Sequence, residues 1–155
     1  MEGRNNGEGI LGTLNVRGPD NVAKQGRLVE IFRGGDEFRR TLGGLEQETD
    51  HFPLPGEVGG NHYHEKKVEI IYLRTGTLTV YLQDPKTKKV YSREIQAAAK
   101  FTLLPGIAHA LVNSGNTPCN FTEHSSLAFN PRDSTNDVHK LEGYSLVPNQ
   151  QQNQP

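Results

Sequence analysis

Between residues 68 and 124 the chain passes through six short stretches rich in β-formers: VEIIYL, TLTVYLQD, VYSREI, FTLL, HALVN and CNFTEH. Each closes within a few residues on a turn signal such as RTG, DPKTKK, PG or NSGNTP. Runs this short, with period-two alternation and tight connections, cannot build long helices. They predict an all-β domain, either an antiparallel sandwich or a small barrel. RLVEIF (27–32) and NHYH add two strands upstream, and IQAAAKF (95–101) is too short to stand as a helix. The 17 glycines and 9 prolines weight the chain further towards turns.

The stretch GNHYHEKKVE (60–69) carries the chemistry. Side chains alternate across a strand, so His62 and His64 share a face while Tyr63 takes the other. Glu69, Ile71 and Leu73 alternate along the next segment, and PGIAHALVN places His109 and Asn113 on one face of another. Three imidazoles and a carboxylate suit a divalent first-row metal with one or two exchangeable positions.

Other classes are disfavoured by composition. Net charge is −1, with cations interleaved among acids, which argues against a nucleic-acid partner. Lys86, Lys88 and Lys89 read as the solvated tip of a hairpin. No window holds eighteen apolar residues, so no membrane span is expected. One cysteine, Cys119, and no signal-peptide core point to the reducing cytoplasm, with Cys119 as a small buried hydrophobe. The expected organisation is a flexible N-terminus (1–9), one domain (10–147) and a disordered tail (148–155).

The spacing of Gly56, His62, His64, Glu69 and Gly76 resembles the first motif of the cupins, with every interval met. Gly106, His109 and Asn113 match the second half of the second motif. Pro105-Gly106 drops one residue there, and Ala98 or Ala99 stands at the usual leading glycine. The resemblance implies a double-stranded β-helix (jelly-roll barrel), with His62, His64, Glu69 and His109 binding a metal such as Zn, Fe, Mn or Ni.

QGRLVEIFR, PGEVGGNHYHEKKVE and FNPRDSTND together resemble the cupin domain of sugar-nucleotide epimerases making capsular 6-deoxy sugars. That likeness implies an isomerase or epimerase acting beside a keto group of a nucleotide-linked sugar. Gln25 and Gly59 stand where the subgroup carries arginines, and an arginine suits a diphosphate. Arg27, Arg33 or Lys67 are the replacements available. A non-haem iron dioxygenase and a non-catalytic ligand-binding barrel are the alternative functions.

Glu123 and His124 are adjacent on the last core strand, so one of them faces inward; both are candidate acid–base residues. Ile71, Asn113 and Arg27 are candidate pocket residues, although a hydrogen bond holding a turn is an equal reading for Asn113. His51 and His139 fall in loop-like stretches and are expected at the surface. The expected partners are a small-molecule substrate and a second copy in a homodimer.

Overall fold

Apolar alternation becomes two antiparallel sheets facing one another. The computed structural model describes residues 7–19, 21–22, 29–31 and 44–149. Among the described residues one short helix, α1 (Gly7–Gly12), precedes eleven strands. These are β1 (Asn21–Val22), β2 (Val29–Glu30), β3 (Gln47–His51), β4 (Val58–Tyr63), β5 (Glu69–Thr75) and β6 (Thr77–Gln83). Then follow β7 (Val90–Gln96), β8 (Ala99–Leu103), β9 (Ala108–Asn113), β10 (Asn120–Ser125) and β11 (His139–Lys140).

One sheet has the order β3-β10-β5-β8 and the other β11-β4-β9-β6-β7, while β1 and β2 form a separate ribbon. Strands distant in sequence are neighbours in both sheets, the crossed pairing of a double-stranded β-helix. The hairpin expected around DPKTKK is present: β6 pairs with β7, and Asp84 N–H donates to Lys89 O at 2.9 Å. The tempting IQAAAKF instead ends β7 and opens β8.

Inward positions alternate along each strand. Leu78, Val80 and Leu82 of β6, with Ile71 and Leu73 of β5, are almost wholly buried in the barrel core. Phe101, Leu103, Leu111 and Phe121 fill the same space, and Ile10 and Leu14 join them from the N-terminal segment. Burying a side chain of this size stabilises a fold by about 1.5–3 kcal/mol. Gly7–Gly9, expected within a flexible terminus, instead begin α1, and burial of Ile10 explains why the helix docks.

Two glycines are required by close approach. Gly76 turns β5 into β6 at φ 89°, and a Cβ there would lie 2.5 Å from Cβ of Cys119. Cys119 is buried as expected. Gly60 adopts φ 81°, and its Cβ would meet the carbonyl oxygen of His109 at 2.9 Å.

The outer face of the first sheet is also buried. Ile70, Tyr72, Lys100, Thr102, Thr122 and His124 have little exposure there. Residues 14–17 extend this sheet past β8, through Thr102 N–H to Leu14 O at 2.7 Å and a bridge between Arg17 and Lys100. Lys100 Nζ donates to Ile31 O at 2.7 Å, which brings the β2 end over this face. Among the described residues, no helix is long and apolar enough to cross a membrane.

Candidate metal centre and pocket

His62 and His109 are directly paired across β4 and β9, just past a register shift between Gly60 and His62. Asn61 takes φ 59° in that shift. This local bulge re-aims the strand at the point where imidazoles are needed. His62, His64 and His109 each offer a ring nitrogen, and these atoms lie within 4.8 Å of one another. Tyr63 faces the other way, into a second cluster with Ala108, Ala110 and Leu146.

Glu69, at the start of β5, comes from the opposite sheet. Its Oε1 lies 3.0 Å from His64 Nε2, and its Oε2 lies 3.7 Å from His109 Nε2. Lys67 Nζ is 3.8 Å from Oε1 of the same carboxylate.

Hydrogen bonds set the tautomers. His64 Nδ1 lies 2.7 Å from Asp137 O, and His109 Nδ1 lies 3.2 Å from Ile107 O. A carbonyl oxygen only accepts, so Nδ1 carries a proton in both rings, and in the neutral form Nε2 keeps the lone pair. His64 Nε2 is buried and makes no hydrogen bond of acceptable geometry, despite its short distance to Glu69.

The electrostatics keep two of the rings neutral. Burial, with His62 and His64 nearby, lowers the pKa of His109 to about 3. Burial and the neighbouring His64 lower that of His62 to about 4. Burial also works against charging His64, but the Glu69 carboxylate outweighs it and the pKa is raised. An unbonded, buried Nε2 amid neutral imidazoles and a carboxylate fits a divalent cation.

The cluster lines a cavity of about 240 Å³ shared with His51, Lys67, Ile71 and Glu123. A larger hollow of about 450 Å³ lies beside it and shares His51, Gly59, Leu111 and Phe121. The larger space contains none of the three imidazoles of the cluster, so the smaller is the chemically relevant one. A Cβ on Gly59 would meet nothing within 4 Å.

Glu123 is the inward member of its pair. Its Oε2 lies 3.1 Å from His51 Nε2, and the His51 ring stacks on Phe121 at 4.6 Å between centroids. Burial raises the Glu123 pKa, but hydrogen bonding and charge from His51 prevail and lower it below the usual range.

Several expectations need correction. His124 is on the opposite face of β10, where its Nδ1 lies 3.1 Å from Glu48 Oε2 rather than in the cavity. Its pKa is lowered, chiefly by burial. Asn113 points inward but is used up by turns: Nδ2 donates to Pro53 O and Thr117 O at 2.9 Å, and Oδ1 accepts from Gly115 N–H at 3.0 Å. Ile71 does line the cavity, whereas Arg27 lies outside the described residues. His51, expected at the surface, ends β3 and reaches the pocket. His139 is half-buried and stacks on Tyr63.

Asp137 was not singled out as a site residue. Its carboxylate accepts backbone N–H groups from Glu65, Lys66 and Lys67 at 3.0, 2.9 and 2.7 Å. Burial opposes its charge, but these three donors prevail and bring its pKa down to about 2. It closes the FNPRDSTND segment whose likeness the sequence displayed, so its position was legible but its role was not.

The barrel, with its imidazoles on adjacent strands of one sheet, has a cupin-type fold. No protein-family model matches the chain, and no curated protein matches it in sequence. Solved structures do match. A sugar 3,4-ketoisomerase from Thermoanaerobacterium thermosaccharolyticum, QdtA, aligns with a TM-score of 0.65 at 13% identity, covering 84% of this chain and 89% of that one. A dTDP-4-dehydrorhamnose 3,5-epimerase from Elizabethkingia anophelis aligns at 0.59 and 17% identity, covering 74% and 69%. The capsular polysaccharide assembling protein CapF from Staphylococcus aureus aligns at 0.57 and 20% identity. That alignment covers 62% of this chain but only 28% of CapF, so the chain corresponds to a fraction of that protein's length.

Proposed function

We propose that the chain is an epimerase or isomerase acting beside a keto group of a nucleotide-linked sugar. The observation that carries this reading is a hydrogen-bonded His51–Glu123 pair lining the same cavity as the imidazole cluster. The activities of the structural neighbours, a sugar ketoisomerase and a sugar-nucleotide epimerase, support it. Moving a proton next to a carbonyl needs a base, and charge must be stabilised on the carbonyl oxygen.

His62, His64, His109 and Glu69 would hold a divalent cation, which when bound supplies Lewis acidity towards the carbonyl oxygen. His51 Nε2–H donates to Glu123, leaving Nδ1 as the ring nitrogen able to take a proton. Glu123 orients that imidazole, so the histidine role falls to His51 instead of His124. Lys67, with a side chain only 13% exposed beside Glu69, contributes positive charge for a substrate oxygen. Ile71 supplies an apolar wall that limits water.

The test is solvent deuterium exchange into UDP- and dTDP-4-keto-6-deoxyhexoses. Glu123→Gln and His51→Asn should each slow exchange by about 10²–10⁴-fold, the usual worth of a positioned acid–base group. Absence of deuterium incorporation by the metal-loaded wild-type protein would remove this reading. Cytoplasmic location and a homodimer belong to the same proposal. Among the described residues β3 and β7 each pair on one side only, which leaves edges for a second copy. Sedimentation velocity reads the mass directly, and a monomer at micromolar concentration would refute the dimer.

A further inference from the structure

We infer that Asp137 is the positioning residue of the centre, coupling cation affinity to docking of residues 129–140 across the first ligand motif. This rests on reading the imidazole cluster as a metal centre, and is independent of the reaction proposed above.

The geometry makes Asp137 a double clamp. Its carbonyl accepts His64 Nδ1–H at 2.7 Å and so presents Nε2 of that ligand. Its carboxylate gathers three successive N–H groups between His64 and Glu69, at 3.0, 2.9 and 2.7 Å. Three backbone donors around one carboxylate form an anion nest, and here the anion is the protein's own. The loop that must carry the chain from His64 to Glu69 is therefore shaped by a residue some seventy positions away.

The segment bearing Asp137 is built to present it. Asp133 Oδ1 accepts from Thr135 N–H at 2.9 Å, and Asn136 Nδ2 donates to Asp133 O at 2.8 Å. Asn136 and Asp137 take φ 48° and 55°, a conformation uncommon outside glycine that such capped turns maintain. Just beyond, β11 pairs with β4 through His139↔Tyr63 and Lys140↔His62. The strap thus touches the ligand strand at His62 and grips the loop after His64. Fixing two ligands before the cation arrives lowers the ordering cost of binding, and losing such an outer partner typically weakens affinity by about 10–100-fold.

The experiment is cation affinity of the full chain, read by competition of Zn(II) or Co(II) against a chromophoric chelator. Asp137→Ala should weaken binding by about 10–100-fold. Asp137→Asn keeps an acceptor for part of the nest and should fall between Ala and wild type, and it serves should the alanine variant fail to fold. Glu94→Gln removes an exposed carboxylate from β7, away from this segment, and should bind as wild type does. In the Co(II)-loaded protein, the visible spectrum should change in the Asp137 variants, a signature that lost fold stability alone would not produce. Cation should also protect residues 129–140 from proteolysis in wild type. Asp137 variants with wild-type affinity and an unchanged spectrum would overturn the inference, as would a wild-type protein taking up no cation. A protein that binds cation through Asp137 but exchanges no substrate proton would sink only the proposed reaction.

Discussion

Gly60 shows how little space a single residue commands at this centre. Its positive φ and the 2.9 Å approach to His109 O exclude a side chain. Gly60→Ala should cost about 1–3 kcal/mol, seen as a lower urea midpoint, and should weaken cation binding because β4 and β9 must part. His109 tests the donor set from the other side. His109→Ala removes a proposed ligand from a buried position and should abolish stoichiometric cation uptake measured by elemental analysis. Retention of a full equivalent of metal would exclude His109 as a ligand. These residues were readable in the sequence because ligand chemistry and period-two alternation act locally. Asn113 was only half readable: its inward parity was plain, but its partners Pro53 and Thr117 come from loops whose approach no local pattern encodes.

At the scale of elements, the barrel strands carry the site's response to pH. His62 and His109 have pKa values lowered to about 4 and about 3 by burial. The unfolded chain binds protons at these rings near pH 6.5 while the folded cation-free protein does not. Their contribution to stability is therefore complete above 6.5 and is lost as pH falls through the window down to about 4 for His62. For His62 alone this is about 3 kcal/mol. His64, with a raised pKa, shifts the opposite way and offsets part of the loss. Thermal midpoints of the cation-free protein should decline from pH 7 to pH 4. A His62→Gln variant should decline less steeply, and parallel curves for the two proteins would contradict the account. The pairing β4·β9 produces this effect, since it brings His62 opposite His109 where burial disfavours the charged ring.

For the whole molecule, the core adjoins the site but extends beyond it. Leu78 of β6 and Phe101 of β8 are fully buried, and neither lines the imidazole cavity. Phe101→Ala should cost about 3–5 kcal/mol in unfolding free energy. The folded fraction should still bind cation with near wild-type affinity, because the proposed ligands lie on β4, just past its end, on β5 and on β9, and not on β8. A nucleotide-sugar occupying the cavity would raise the thermal midpoint by mass action, about 2.7 kcal/mol at a hundred times its dissociation constant. Both the larger hollow and the smaller cavity adjoin Gly59, so Gly59→Arg is expected to change ligand preference more than stability.

The sequence by itself determined the strands from β4 to β10, the turns that separate them, the shared face of His109 and Asn113 on β9, and the residue types of the proposed cation site. These are local properties: alternation, turn chemistry and spacing act within ten residues or so. It also determined that one of Glu123 and His124 must face inward. The tertiary structure alone decided which, because the register of β10 between β3 and β5 sets Glu123 beside the cavity and leaves His124 under the outer layer. The same long-range pairing recruited His51 from a stretch that read as loop, and brought Asp137 back to the loop after His64. Strand parity is written in the chain, but the choice of face and the partner across the barrel belong to the packing of the two sheets.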